Sequence, residues 1–184
     1  LDEILYVTRA LELLPLPNGN RVCIISFSGA AGAQAADLCA ENGLAVPNLA
    51  SDTISKIKSI SPPWMEISNP VDIWPATEMS GDAGKTYTEA IDAALSDENV
   101  DSVVVLVNAS YVPVRQSPMP EQLVHAVKQP LRKPVAICVI GYTLDTERYA
   151  EVLDKKMLPV YSTVKSCVRA LSKLHEYSMY RKQI

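Results

Sequence analysis

Short apolar runs alternate along the chain with longer segments whose apolar residues recur every three or four positions. The short runs are typical of β-strands, and the wider spacing is typical of helices with one buried face. Strands are predicted at residues 22–25, 102–107, 134–140 and 159–161, with a further short extended piece at 44–49. Helices are predicted at residues 4–14, 33–41, 51–61, 86–95, 121–128, 144–155 and 163–180. Residues 62–75 are rich in proline and predict an ordered loop.

The strand–helix alternation predicts the fold class. Strands connected by helices form right-handed crossovers, a parallel sheet and helices on both faces. Residues 103–107 are all apolar, as expected of a strand that is covered on both faces. About five such strands predict an α/β fold with a flavodoxin-like open parallel sheet. The length of 184 residues predicts one domain over 1–184, with a leading helix at 1–14.

Composition narrows the class of protein. With 17 Lys and Arg against 21 Asp and Glu, the net charge is −4, and no nucleic-acid partner is expected without a basic patch. No apolar run approaches the roughly 18 residues of a membrane helix, so no membrane association is expected. The four cysteines lie scattered in apolar segments without C-x-x-C spacing. This pattern predicts reduced thiols, no bound metal and a cytoplasmic location.

The residues after the first strand are the first candidate for a ligand site. Ligands of open α/β sheets bind at the carboxyl ends of strands, near the point where the strand order reverses. Residues 26–32 are small apart from Phe27, and a predicted helix follows them. Its N–H groups and dipole favour a phosphate or another anion, and the predicted ligands are Ser28, Gly29, Ala30, Ala31 and Gly32. The alternative is a tight turn whose small residues only permit close packing.

Two more specific motifs, a nucleophile elbow and a Walker A loop, are disfavoured by the residues around them. Ser28 lies between small residues, as in a relaxed nucleophile elbow, but its partners would be Asp145 and a His175 that belongs to a helical pattern. Residues 81–86 end like a Walker A loop, but position 79 is Met and no strand precedes them. A surface turn that caps the next helix is predicted there instead.

Asn69 and Asp72 are predicted to structure the loop near the site. A residue before proline is held extended, and Asn and Asp side chains bond readily to nearby backbone. The segment Asn69-Pro70-Val71-Asp72 therefore predicts a loop that is fixed against the sheet.

Taken in order, a series of short motifs resembles one family. The motifs are Gly19-x-Arg21-Val22-x-Ile24-Ile25-x-x-Ser28-Gly29-Ala30-x-Gly32-x-x-Ala35-Ala36-Asp37, Gly43-Leu44, Leu49, Thr53, Asn69-Pro70-Val71-Asp72, Tyr87, Lys133-Pro134-Val135, Pro159-Val160-Tyr161 and Arg169-Ala170-Leu171. They cover nearly the whole chain. Their succession resembles the second succinyl-CoA-ligase-like flavodoxin domain of the NDP-forming acyl-CoA synthetases, the ADP-forming acetate–CoA ligase group.

The resemblance implies a part in a phosphoryl-transfer reaction. Enzymes of that family interconvert acyl-CoA, phosphate and NDP with the free acid, CoA and NTP, through an acyl phosphate and a phosphorylated histidine on a mobile loop. Helix N-termini of two flavodoxin-like domains cradle the phosphohistidine, and residues 28–32 match the position of one cradle. Where members usually carry Gly-Gly, Ala30 and Ala31 stand at or next to the second glycine.

The remaining parts of such an enzyme are expected elsewhere. The family's histidine belongs to a Ser-His-Thr-Gly-type segment expected upstream of Leu1, and neither His125 nor His175 matches it. No catalytic residue is therefore expected here, and the chain alone is predicted to be inactive as a ligase. The full-length protein is expected to use CoA, ATP/ADP and Mg2+, with none of them bound by this domain. Expected partners are the CoA-binding and ATP-grasp domains, and a homo-oligomer is a further candidate assembly.

Two other classes of function compete with a ligase domain. One is a non-catalytic regulatory or scaffold domain of a CoA-ligase-like protein fused to an acetyltransferase. The other is a flavin-binding protein of the flavodoxin-like fold.

Overall fold

The computed structural model describes residues 2–110, 117–127 and 130–183, and these ranges contain five strands and eight helices. The strands are Val22–Ser26 (β1), Val71–Asp72 (β2), Ser102–Ala109 (β3), Val135–Gly141 (β4) and Val160–Tyr161 (β5). The helices are Asp2–Leu13 (α1), Gly29–Glu41 (α2), Ser51–Ser59 (α3), Trp74–Ser80 (α4), Ala83–Ser96 (α5), Pro120–Ala126 (α6), Thr143–Asp154 (α7) and Val164–Arg181 (α8).

The five strands form one parallel sheet in the order β2-β1-β3-β4-β5. The last pair between β1 and β3 is Ser26↔Leu106, whereas β3 and β4 continue to Ala109↔Gly141. The strand order reverses between β1 and β3, and this position is the switch point of flavodoxin-like sheets. The predicted α/β class with an open parallel sheet is confirmed.

Alternate residues of the central strands pack on opposite layers of helices. Ile24 and Val104 face the layer of α1, α2 and α8, while Ile25 and Val105 face the layer of α3, α5, α6 and α7. All four side chains are fully buried. The uninterrupted apolar runs therefore correspond to strands covered on both faces, as predicted.

The prediction for the fifth strand was wrong. Residues 44–49 contribute only an isolated bridge between Ala45 and Arg21, and the fifth strand is β2, inside the segment predicted as a loop. β2 has only two residues, so the sequence shows no alternation that could reveal it.

The predicted start of α2 at residue 33 was also wrong, since the helix begins at Gly29. Ala30, Ala31 and Ala33 have the highest helix propensity, which outweighs the two glycines of the first turn. The small residues predicted as a loop are thus largely helical.

The last two residues of the predicted 62–75 loop begin another helix, α4, which continues to Ser80. Its second residue is Pro75, which suits the first turn of a helix, and Gly81 at φ 68° ends it in the left-handed conformation. α5 then begins at Ala83 rather than 86, because Asp82 Oδ1 accepts a hydrogen bond from the Lys85 N–H at 2.9 Å. The Walker-like segment is therefore a turn with a capped helix, as predicted, starting three residues earlier.

An ion pair between Arg21 and Asp101 lies at the amino edge of the sheet, at the opposite end of the strands from the switch point. Asp101 accepts hydrogen bonds from Nε, Nη2 and the backbone N–H of Arg21 at 2.8, 3.0 and 3.1 Å. Burial raises the pKa of the Asp101 carboxyl, but these hydrogen bonds outweigh burial and hold its pKa below the ordinary value. The pair therefore favours the folded state when Asp101 is ionised.

The cysteines lie inside the fold. All four, Cys23, Cys39, Cys138 and Cys167, are buried and unpaired. Burial raises the pKa of Cys23 to about 12, so its thiol is protonated at neutral pH. In the described part of the chain, no helix combines the length and the apolar character needed to cross a membrane.

Candidate functional site

The N-terminus of α2 opens onto the carboxyl edge of the sheet at the switch point. β1 ends at Ser26, and two residues later the chain enters α2 at Gly29. Gly29 and Ala30 are exposed, so solvent reaches this helix end. The five predicted phosphate ligands, residues 28–32, therefore lie together as the N-cap and first turn of α2.

Three backbone N–H groups at this helix end have no partner within the helix. The first N–H groups of an α-helix point out of its N-terminus without intrahelical acceptors. The N–H of Gly32 already donates to the Ser28 carbonyl at 2.9 Å, which leaves those of Gly29, Ala30 and Ala31. Together with the positive end of the helix dipole, they favour an anion in front of α2.

Ser28 occupies the N-cap of α2 without capping it. Its backbone is extended, as a capping residue requires, but its side chain makes no capping hydrogen bond. By contrast, Asp82 and Thr163 cap α5 and α8 by accepting a backbone N–H. The turn into α2 is held by the buried Ser26, whose Oγ donates to the Ser28 carbonyl at 2.7 Å and accepts from the Ser28 N–H at 3.1 Å. The N–H groups of α2 thus remain available to an external acceptor.

Gly32 brings α2 close to the segment before β2. A methyl group at this position would lie 3.1 Å from Cβ of Pro70 and 3.4 Å from Cβ of Ser26. Since its N–H is used within the helix, Gly32 serves packing in this structure.

Asn69 holds the edge of the sheet beside β1. Its Oδ1 accepts from the Ile24 N–H at 3.0 Å, and its Nδ2 donates to the carbonyls of Val22 at 2.9 Å and Pro47 at 3.0 Å. β2 itself pairs with β1 only at Ile25 and Ser26. The amide of Asn69 therefore supplies hydrogen bonds that a longer edge strand would make.

Asp72 lies at the end of β2, directly beside the N-terminus of α2. Its Oδ1 accepts from the Trp74 N–H at 3.0 Å, where the chain turns into α4. A methyl group at Gly29 would lie 3.2 Å from Oδ2 of Asp72. Because a carboxylate repels a second anion at such short range, Asp72 influences the charge of the site as well as its shape.

Two buried tyrosines, Tyr87 and Tyr149, bond to backbone carbonyls, and these hydrogen bonds were not predicted from the sequence. The Tyr87 hydroxyl donates to the Leu106 carbonyl at 2.8 Å, and the Tyr149 hydroxyl donates to the Pro118 carbonyl at 2.5 Å. Burial raises the pKa of both phenols, so they act as neutral donors. No local pattern reveals the hydroxyl partners, which lie 19 and 31 residues away in the sequence.

The hydrolase-like arrangement does not assemble. Ser28 is at the carboxyl edge, whereas His175 lies 11 residues into α8, about 16 Å along the helix. Nδ1 of His175 is buried and has no hydrogen-bond partner among the described residues. His125 is on α6 and lines a cavity with Gly84 and Lys85 of α5. Across the described ranges, no three His, Cys, Asp or Glu side chains are grouped as a metal site.

An open parallel sheet in this order, with helices on both faces and an exposed helix N-terminus at the switch point, defines a doubly wound α/β domain of the flavodoxin-like class. The chain belongs to the Ligase-CoA domain family, whose model matches residues 22–179. The resemblance inferred from the motifs is thereby confirmed.

Relatives of the chain are named as CoA ligases. It is 35% identical over 99% of its length to the ADP-forming acetate–CoA ligase II of Archaeoglobus fulgidus. It is 33% identical over 88% of its length to subunit alpha of the ADP-forming acetate–CoA ligase II of Pyrococcus furiosus. It spans 26% and 34% of these two proteins, so it corresponds to a minor part of each.

A solved structure supports the same fold assignment. The dinucleotide-forming acetyl-coenzyme A synthetase 1 of Ca. Korarchaeum cryptofilum, in complex with phosphate and ADP, matches 99% of this chain with a TM-score of 0.83 and 27% identity. The match covers 38% of that chain.

Proposed function

We propose that the chain is the phosphoryl-cradling domain of an ADP-forming acid–CoA ligase. Such an enzyme interconverts acyl-CoA, phosphate and ADP with the free acid, CoA and ATP. Two relatives carry the name of ADP-forming acetate–CoA ligase, and a solved neighbour contains phosphate and ADP. These names support the reaction class for the whole protein, and the geometry of α2 supports the part assigned to this chain.

The observation that carries the proposal is the uncapped, exposed N-terminus of α2 at the switch point. The N–H groups of Gly29, Ala30 and Ala31 can donate to phosphoryl oxygens and offset their charge without a titrating side chain. Fixed backbone dipoles need no reorganisation when the phosphoryl group arrives, which is the requirement for stabilising transferred charge. The group that carries the phosphoryl is assigned to another part of the full-length protein.

The same proposal divides the remaining chemistry among other domains. CoA, the adenine nucleotide and Mg2+ are assigned to the CoA-binding and ATP-grasp domains, as the resemblance to the family implies. The chain by itself is then inactive as a ligase. A cytoplasmic location remains a prediction from the cysteine pattern.

Adding a negative charge at the cradle tests the role of α2. In the full-length protein, Gly29→Asp places a carboxylate at the free N–H groups and against Asp72, so phosphate-dependent ATP formation from acetyl-CoA and ADP is expected to fall at least tenfold. The matched control is Ala33→Asp, which adds the same charge at an exposed position one turn along α2, where the N–H groups are bonded. It is expected to retain most of the activity.

Removing the neighbouring charge should have the opposite effect. Asp72→Asn keeps an oxygen for the Trp74 N–H but loses the carboxylate beside Gly29, so the KM for phosphate is expected to fall severalfold. Unchanged turnover in Gly29→Asp, with unchanged thermal stability, would refute the cradle and favour a regulatory or scaffold role. An absence of ligase activity in the full-length wild-type protein would refute the reaction class.

A further inference from the structure

One tyrosine links the two ends of the segment that connects β3 to α6. These ends are residues 108–110 and 117–118, and we call them the tied base. Tyr149, on α7, is fully buried, and its hydroxyl donates to the Pro118 carbonyl at 2.5 Å. The same oxygen lies 3.1 Å from the Ser110 carbonyl and accepts a weaker hydrogen bond from the Ser110 N–H at 3.5 Å. One side chain thus joins the two ends of a connection that leaves the sheet at Ala109 and returns at α6.

A second hydrogen bond closes the same base. The Ser117 hydroxyl, which is buried, donates to the Asn108 carbonyl. The last residues of β3 and the first described residues before α6 are therefore linked twice, once by Ser117 and once by Tyr149.

The tied base lies across the switch point from the N-terminus of α2. β1 leaves the sheet after the pair Ser26↔Leu106, but β3 continues for three residues, paired only with β4. Among the described strands, the β1 side of β3 therefore has no strand partner beyond Leu106, although Val107 and Ala109 are buried. The N-terminus of α2 forms one wall of the crevice at the switch point, and the end of β3 with the tied base forms the other.

We propose that Tyr149 is a positioning residue for the phosphoryl site, since its hydroxyl fixes the wall of the crevice opposite the N–H groups of α2. The inference rests on the proposed function. A phosphoryl group held only by backbone donors on one side depends on a rigid opposite wall to stay in a productive orientation. Tyr149 does not touch the phosphoryl group, and it acts through the backbone of Ser110 and Pro118.

The test compares two buried Tyr→Phe substitutions in the full-length protein. Tyr149→Phe removes the hydroxyl that ties the base, whereas Tyr161→Phe removes a buried hydroxyl that has no hydrogen-bond partner within the described ranges. The readouts are kcat and the separate KM values for phosphate, ADP and acetyl-CoA. Tyr149→Phe is expected to raise the KM for phosphate about fivefold, as the loss of one buried hydrogen bond predicts, with the other two KM values unchanged. Tyr161→Phe is expected to change none of them.

A change confined to the KM for phosphate distinguishes positioning from a general loss of stability. If Tyr149→Phe lowers the melting temperature but leaves the KM for phosphate unchanged, Tyr149 is merely structural and the inference is overturned. If Tyr149→Phe does not fold, Ser117→Ala decides the question, because it opens the same base and is expected to raise the same KM.

The inference and the proposed function fail in different ways. A protein that Gly29→Asp inactivates but whose KM for phosphate is unaffected by Tyr149→Phe and Ser117→Ala retains the cradle and loses the positioning role. A protein in which Gly29→Asp has no effect loses both.

Discussion

Replacing Asn69 with alanine tests how the edge of the sheet beside the site is held. The Asn69 amide makes three hydrogen bonds, with the N–H of Ile24 and the carbonyls of Val22 and Pro47. Val22 and Ile24 are fully buried. The substitution therefore leaves an N–H and a C=O of β1 without partners at a position that solvent reaches only from the edge.

The expected loss follows from these three bonds. A typical intramolecular hydrogen bond contributes about 1 kcal/mol net, and leaving a buried group unsatisfied costs about 1–3 kcal/mol. Because Asn69 is only half-buried, water can partly replace the amide, which keeps the sum near the lower end. Asn69→Ala is thus expected to lower the free energy of unfolding by about 3 kcal/mol.

Urea unfolding of the 184-residue chain measures this loss, through the midpoint at constant m-value. The control is Asn99→Ala, whose side chain donates one exposed hydrogen bond of 3.3 Å to the Asn48 carbonyl, and a loss below about 1 kcal/mol is expected. Equal losses for the two variants would refute the assignment of Asn69 as a substitute for an edge strand.

Asn69→Asp tests the direction of the same hydrogen bonds. One carboxylate oxygen can still accept from Ile24, but the other would face the carbonyls of Val22 and Pro47, so the folded state favours the protonated carboxyl. The pKa of the introduced carboxyl would therefore be higher in the folded than in the unfolded state. The variant should be less stable than Asn69→Ala at neutral pH and should regain stability as the pH falls. A loss of stability that does not depend on pH would contradict this interpretation.

Two further predictions concern packing and charge. Gly32→Val should destabilise the chain by about 1–3 kcal/mol, because α2 has no space for a side chain there, and thermal melting should show a smaller effect for Ala33→Val on the exposed face. Asp101→Asn should lower the free energy of unfolding at neutral pH by roughly 2 kcal/mol through the lost Arg21 pair. As the pH falls, the variant should lose less stability than the wild type. Because the pKa of Asp101 is lowered in the folded state, its ionised carboxyl stabilises the fold above the unfolded pKa of about 3.9. This stabilisation is lost progressively as the pH falls below that value. Asp154→Asn, which breaks an exposed ion pair, should cost less than about 1 kcal/mol.

The core of the fold could be predicted because the pattern that identifies it is local. The apolar runs of β3 and β4 are long enough to show that both faces are covered, and helix periodicity is visible over three or more turns. The edge of the sheet could not be predicted in the same way. β2 has two residues, and the hydrogen bonds that complete the edge come from the side chain of Asn69. That residue suggested a fixed loop, but its partners Val22 and Ile24 lie 45 or more residues away.

The same distinction, between local patterns and contacts that are distant in sequence, applies to the candidate site. Residues 28–32 could be predicted because small residues after a strand and before a helix have a direct structural meaning. The helix start could not, because the two glycines favour a loop and obscure the helix propensity of the alanines around them. The hydrogen bonds of Tyr149 could not be predicted, because its partners, Ser110 and Pro118, are 39 and 31 residues away in the sequence. No spacing in the sequence brings these residues together.

The contrast between Ser28 and the residues that cap α5 and α8 supports the proposal that the end of α2 receives an external acceptor. A serine at an N-cap ordinarily stabilises its helix by about 1 kcal/mol through its own oxygen. Asp82 and Thr163 make such a capping hydrogen bond, whereas α3, α4 and α7 have Ala50, Ile73 and Tyr142 at their N-caps and no side-chain cap. Ser28 differs from these three because its hydroxyl could cap the helix and does not. At Ser28 the backbone already has the capping conformation, yet Ser26 holds the turn and the helix amides stay unpaired. Since unpaired donors are costly where water is excluded, an anion that enters the crevice gains most when the opposite wall excludes solvent. In the proposed function, the uncapped end of α2 supplies the donors and the residues linked by Tyr149 supply the opposite wall.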